Sequence, residues 1–225
     1  MKKLFFIHFL LFFISGTNSQ QLSQVTFSNG ANLSYFSFLT DHNVLMRITL
    51  DGKLIEWGIE ERALRSSEYF NPKLLPYLGR VEYYDKESDS AFWGKVKTIG
   101  TCMFTYYGNY ERDYKVGKLR TIGTIILDYY SEYEDKILKG KLRFIGSNIL
   151  EYYSQFEDVA FRGKLRSIGN TVIKYHSSFD DKQIRGKVKS IGPAEIKWYT
   201  SLDYQRGGLN GSYRRNIGGV TYILW

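Results

Sequence analysis

The chain has 225 residues, 31 Lys and Arg against 23 Asp and Glu, and a single cysteine, Cys102. One cysteine excludes an intrachain disulfide framework, so packing and hydrogen bonding must hold the fold. The absence of any long apolar run after the N-terminus excludes a second hydrophobic helix of membrane-spanning length.

The opening residues, MKKLFFIHFLLFFISGTNSQ, place Lys2 and Lys3 ahead of an apolar stretch from Leu4 to Ile14. Thr17 and Ser19 then supply small residues at the −3 and −1 positions of a cleavage site, the anatomy of a secretory signal peptide. An apolar stretch of about 11 residues falls short of the ~20 that a spanning helix needs. The sequence therefore predicts a signal peptide over 1–19 and an exported chain, secreted or held in the periplasm or cell envelope. Export with so little cysteine fits a bacterial route better than a disulfide-stapled eukaryotic one.

Residues 20–78 are expected to form an N-terminal β cap. Strands are predicted at 25–28, 33–39, 44–50 and 53–57, and Asp51-Gly52 between the last two is a hairpin signal of the type I′ kind. Segment 59–78 is less regular, with a short helix expected over 60–67 and with Pro72 and Pro76 limiting order after it. The cap is expected on the exposed edge of the first repeat, where an uncovered strand would invite aggregation.

From residue 79 onward the chain repeats. Gly94, Gly117, Gly140, Gly163 and Gly186 each open a Gly-Lys-(Val/Leu)-(Lys/Arg) block, with 23 residues from one to the next. Each block runs to an Ile-Gly pair, from Ile99-Gly100 to Ile191-Gly192. An aromatic pair follows: Tyr106-Tyr107, Tyr129-Tyr130, Tyr152-Tyr153, Tyr175-His176 and Trp198-Tyr199. A degenerate unit with Gly79 and Tyr83-Tyr84 precedes these, and a shortened one, 211–225, closes the chain. Within a unit, Leu127, Tyr129, Ser131 and Tyr133 share one parity and Asp128, Tyr130 and Glu132 the other, the period-2 signature of a half-buried strand. In the other strand Leu138, Gly140 and Leu142 share one parity and Lys139, Lys141 and Arg143 the other, and Ile145 breaks that alternation, which predicts a bulge or turn at Ile145-Gly146. Each unit reads as a β-hairpin rather than as one coil of a parallel β-helix. Hairpins set equivalent basic residues two strand spacings apart, about 10 Å instead of about 4.8 Å, and interpose strands carrying Asp128, Glu132 and Glu151.

The expected fold class is thus all-β: tandem hairpins over 79–225 in one extended, twisted antiparallel sheet, with the β-meander cap. In hairpin architecture and unit length this is similar to MORN repeats, although their Gly-x-Gly and Tyr-x-Gly-x-Trp signature is missing here. The resemblance implies no function.

Chemistry is sparse. After residue 19 the histidines are His42 and His176, in different modules. Cys102 sits in a column otherwise filled by Ile125, Asn148, Thr171 and Ala194, and no nucleophile, zinc or phosphate-loop motif appears. The acidic pairs Glu134-Asp135, Glu157-Asp158 and Asp180-Asp181 lack the ligand count calcium needs and read as loop acids. No catalytic residue, metal or cofactor is therefore nominated, and the chain is not expected to be an enzyme.

What stands out is charge. Residues 163–225 hold eleven Lys and Arg against four Asp and Glu, whereas residues 20–162 are nearly balanced. The candidate binding residues are Lys164, Arg166, Lys174, His176, Lys187, Lys189, Lys197 and Tyr199, cations interleaved with aromatic groups on the predicted polar parity. Such a surface would attract a polyanion. Only segment 59–78 remains to cover the apolar parity, so the sheet is expected to curl strongly on itself or to pack against a protein partner or a second copy of the chain. The expected function is a non-catalytic scaffold or binding surface. An outer-membrane β-barrel or another envelope-associated structural role is the alternative, drawn from the signal peptide, the many tyrosines and the Tyr222-Ile-Leu-Trp225 terminus.

Overall fold

The computed structural model describes residues 21–40, 42–60, 73–211 and 213–225. The predicted signal peptide and most of the expected helix at 60–67 lie outside the described residues. Two sheets build the molecule. The first begins as a meander, β1 (Gln21–Ser28), β2 (Asn32–Leu39), β3 (Val44–Ile48), β4 (Leu54–Glu60) and the short β5 (Leu74–Leu75). The second sheet holds eleven antiparallel strands in sequence order: β6 (Val81–Tyr83), β7 (Val96–Ile99), β8 (Cys102–Tyr106), β9 (Leu119–Ile122), β10 (Ile125–Tyr129), β11 (Leu142–Ile145), β12 (Asn148–Tyr152), β13 (Leu165–Ile168), β14 (Thr171–Tyr175), β15 (Val188–Ile191) and β16 (Ala194–Glu195). The all-β, hairpin-connected class read from the sequence is the one observed.

Each repeat hairpin turns on its Ile-Gly pair. Gly100, Gly123, Gly146, Gly169 and Gly192 adopt φ between 52 and 59°, and the residue after each keeps an ordinary negative φ. Glycine first and an ordinary residue second is the type II′ arrangement, which follows the strand twist. It also explains why Pro193 fits at the second turn position of the last repeat. The irregularity expected at Ile145-Gly146 divides in two. Gly146 makes the turn, while the bulge falls earlier: Tyr129 faces Leu142 and Asp128 faces Phe144, leaving Arg143 as the extra residue. The same shift recurs opposite Tyr106, Tyr152 and Tyr175. Because of the bulge, Leu142 and Ile145 both turn inward and are buried. In the meander, the Asp51-Gly52 hairpin forms with a different turn. Gly52 alone enters the left-handed region, at φ 78°, and its N–H donates to the Thr49 carbonyl.

The N-terminal strands do not cap an edge. They cover the broad inner face of the repeat sheet, and Phe27, Phe36, Phe38, Met46 and Ile48 join Phe104, Leu119, Leu127, Tyr129, Leu150, Ile173 and Val188 in one continuous core. Two meander turns press onto the aromatic column beneath them. A Cβ on Gly30 would lie 1.8 Å from the Trp198 ring, and one on Gly52 would lie 1.9 Å from the Tyr129 hydroxyl, so only glycine permits the approach. Those turns also satisfy backbone groups beside the bulges: the N–H of Leu142 donates to the Leu50 carbonyl at 2.9 Å, and that of Val188 to Gly30 at 2.8 Å.

The end of the chain departs from the repeat sheet as well. β17 (Tyr213–Ile217) and β18 (Val220–Leu224) form a hairpin, and β18 pairs in parallel with β1, so the shortened last unit completes the covering sheet. The inner apolar face, expected to be buried by curling of the sheet or by a partner or second copy, is covered instead by the meander and the last hairpin of the same chain. Among the described residues neither sheet closes into a barrel. The repeat sheet ends at β6 and β16, and among the described residues no helix is long and apolar enough to cross a membrane.

Candidate binding face of the C-terminal repeats

Most of the polar chemistry in a repeat couples it to its neighbour. The first lysine of each block extends over the inner aromatic ring and donates to the glycine carbonyl that opens the next block. Lys118 reaches Gly140 at 2.5 Å, Lys141 reaches Gly163 at 2.7 Å and Lys164 reaches Gly186 at 2.6 Å; Lys95 does the same to Gly117, and Lys187 donates to Gly207, which stands where no further block opens. Their ammonium groups lie 4.7–5.3 Å from the ring centroids of Tyr106, Tyr129, Tyr152, Tyr175 and Trp198. Burial holds all five lysines below the usual lysine range. The carbonyl and the ring quadrupole offset part of that desolvation.

The two aromatic columns are also committed. The inner tyrosines donate to strand carbonyls, Tyr129 to Leu119, Tyr152 to Leu142 and Tyr175 to Leu165, at 2.7–3.0 Å. The second tyrosine of each pair reaches two strands onward, Tyr107 to Leu127, Tyr130 to Leu150 and Tyr153 to Ile173. It meets the next inner ring edge-on, as Tyr153 does Tyr175 at 5.9 Å. Tyr107 is buried and Tyr130 and Tyr153 are half-buried, so this column is less open than the alternation predicts. Burial raises the phenol of both columns.

These contacts divide the eight candidate residues. Lys164 and Lys187 belong to the inter-repeat ladder and their ammonium groups are engaged. Tyr199 is half-buried, with its backbone bonded to Gly207 and Gly208. His176 occupies the second tyrosine column but is too short to repeat the hydroxyl contact. Its Nδ1 is buried without a hydrogen bond, and Asp180 lies 3.5 Å away. Burial lowers its pKa, with Asp180 opposing and Lys189 adding to the shift. Arg166 is exposed at a bulge, over the Tyr153 ring at 5.7 Å.

Lys174, Lys189 and Lys197 are exposed, and none forms an ion pair among the described residues. Lys174 on β14 and Lys189 on β15 line a concavity of about 400 Å³ with Tyr153, Tyr175, Ser190 and Glu195, and Lys197 follows Lys174 by one repeat. Ser190 and Glu195 were not nominated from sequence. Their cross-strand pairing places them there, a juxtaposition visible only once the hairpin register is known. In the preceding repeats the column of Lys174 and Lys197 holds acids, Asp128 and Glu151, and nearby cations are paired: Lys115 with Asp128 at 2.5 Å, Arg143, the counterpart of Lys189, with Glu134 at 2.7 Å, and Lys139 with Glu132.

The acids of the loop pairs have structural partners. Asp158 accepts from the Ala160 N–H within its own loop and from Ser178 in the next, and Asp135 and Asp181 repeat the pattern. These bonds hold the Asp158 and Asp181 carboxyls below the usual carboxylate range. Among the described residues no group of three or more potential ligands could hold a metal ion.

Comparison with family models, with curated proteins and with solved structures finds no match. The class of protein that the fold and this face define is a two-sheet β-repeat protein with a basic outer surface at one end.

Proposed function

We propose that the chain is an exported, non-catalytic binding scaffold that takes an anionic polymer on the outer face of its last repeats. The observation that carries this reading is the pair Lys174 and Lys189 lining a shallow, ring-lined concavity with Glu195, and the exposed Lys197 one repeat beyond Lys174. Cations that outnumber the acids around them and form no ion pair keep a net positive field and raise the local concentration of polyanions, such as acidic glycans or anionic headgroups of the envelope. Export is supported by the signal-peptide pattern of 1–19, and a binding role by the commitment of His176, the tyrosines and the loop acids to packing and coupling. The test is retention of the mature chain on heparin and on anionic vesicles across a salt series. Replacing both Lys174 and Lys197 by Glu is expected to weaken retention and flatten its salt dependence. Unchanged elution would leave this face as solvated surface.

A further inference from the structure

A second column recurs with the repeat, at the tips of the long loops opposite the turns. Tyr110, Tyr133, Phe156, Phe179 and Leu202 lie 23 residues apart, and the degenerate first unit has Glu87 in their place. Parity from the strand predicts Tyr133 inside, but β10 ends at Tyr129 and the chain turns outward. The five side chains are 82–103% exposed, so they contribute nothing to the core. A residue with no packing role has no structural need to be aromatic or large and apolar in five consecutive units.

The tips are nonetheless held in register. Aspartate staples, Asp135 to Gln155, Asp158 to Ser178 and Asp181 to Ser201, tie the loops of the last four tips to one another, while the same column holds Arg112 between the Tyr110 and Tyr133 loops. Adjacent tips are therefore about 10 Å apart, two strand spacings, and form a preorganised row. Between two tips lies a groove of about 400 Å³ lined by Arg112, Asp113, Tyr114, Glu132, Tyr133 and Lys139, an exposed ring flanked by hydrogen-bond donors and acceptors.

Charge and spacing select the occupant. An acid follows each tip residue directly, Glu111, Glu134, Glu157, Asp180 and Asp203, and the loops carry about as many acids as bases. That edge lacks the cation excess that nucleic acid or an anionic membrane requires. The apolar tips are separated from one another by polar residues, and where a loop carries a second exposed apolar group, Val159 or Tyr204, acids stand between it and the tip in sequence, unlike the contiguous patch of a protein interface. A linear chain of uncharged sugars meets every condition. A pyranose stacks its C–H face on a ring and offers hydroxyls to the flanking polar groups, and a β-1,4-linked chain turns the same face to one side at every second sugar.

We propose that the loop tips form a ladder for a linear, uncharged β-linked polysaccharide, with one rung per repeat. Each rung binds weakly, and a chain long enough to span several binds through their combined effect. The experiment is native-gel retardation of the mature chain in hydroxyethylcellulose, with cellohexaose and cellobiose as competitors. The expected result is retardation that cellohexaose relieves and cellobiose, reaching only one rung, does not. Tyr133→Ser, Phe156→Ser and Phe179→Ser should each weaken it several-fold, and together should lower the affinity by roughly a hundredfold or more. Since these side chains touch no core, the triple variant should unfold at the wild-type midpoint. Lys174→Glu with Lys197→Glu should leave the retardation unchanged, which separates this ladder from the polyanion face. Absence of retardation, retardation that survives the triple substitution, or loss in that variant of binding to phosphatidylcholine vesicles in place of glycan would each overturn the proposal.

Discussion

The repeats that begin at Gly117 and Gly140 and those that begin at Gly163 and Gly186 share a backbone and an interior but differ on the outer face. Inside, Tyr129, Tyr152 and Tyr175 make the same carbonyl contacts, and Lys118, Lys141 and Lys164 bridge to the next unit in the same way. Outside, Asp128 and Glu151 give way to Lys174 and Lys197, and the ion pairs of the middle repeats are absent among the described residues of the last two. The positions that encode the hairpin are therefore separable from the positions that set surface chemistry. Charge can drift along the array with no change in fold.

If the interiors are equivalent, mutations at matched columns must cost alike. Tyr152→Ala and Tyr175→Ala should each destabilise by about 3–5 kcal/mol, the range for deleting a buried aromatic. Urea midpoints that fall together would support the equivalence, and a large difference between them would break it. Lys141→Met and Lys164→Met come next. Each leaves a glycine carbonyl without its charged donor, at about 1–2 kcal/mol in the same assay. A neutral result at either position would show that the ladder is incidental to stability.

The smallest effect lies where the columns differ. His176 takes a tyrosine position and its pKa is lowered by burial. A base with a depressed folded pKa is bound by protons first in the unfolded state. It therefore opposes folding as pH falls below the unfolded value near 6.5 and has no such effect well above it. His176→Tyr should stabilise modestly at pH 7.5 by restoring the hydroxyl, and its advantage over wild type should widen by pH 5.5. An advantage that narrows on acidification would contradict this assignment.

The period of 23 made the hairpins legible, and the first tyrosine column could be placed inside from alternation alone. Three features could not. The covering role of the meander and the parallel β1–β18 pair join residues from opposite ends of the chain, and no local pattern reports such a pairing. Lys164 and Lys187 have outward parity, yet their long stems bend to a carbonyl in the next unit, a contact defined only by register. The place of the bulge is the third: Ile145 signals a break in alternation, but that Arg143 is the extra residue follows only from the cross-strand register. The exposed loop column was present in the sequence as apolar residues recurring in polar loops. Tyr133 was masked by extending the strand alternation past its end.

The central claim is that binding depends on where the outer cations stand and not on their number. Three single or double variants test it on one heparin column. Glu151→Lys extends the row of Lys174 and Lys197 into the middle repeats, Lys174→Glu with Lys197→Glu removes it, and Lys86→Glu with Lys73→Glu makes an equal charge change far away in sequence at exposed positions. Elution is predicted at the highest salt for Glu151→Lys, at wild-type salt or slightly below for the remote pair, and at the lowest salt for the double substitution in the row. Equal losses from the remote pair and from the row would show that net charge alone governs retention and would contradict the assignment of a binding face.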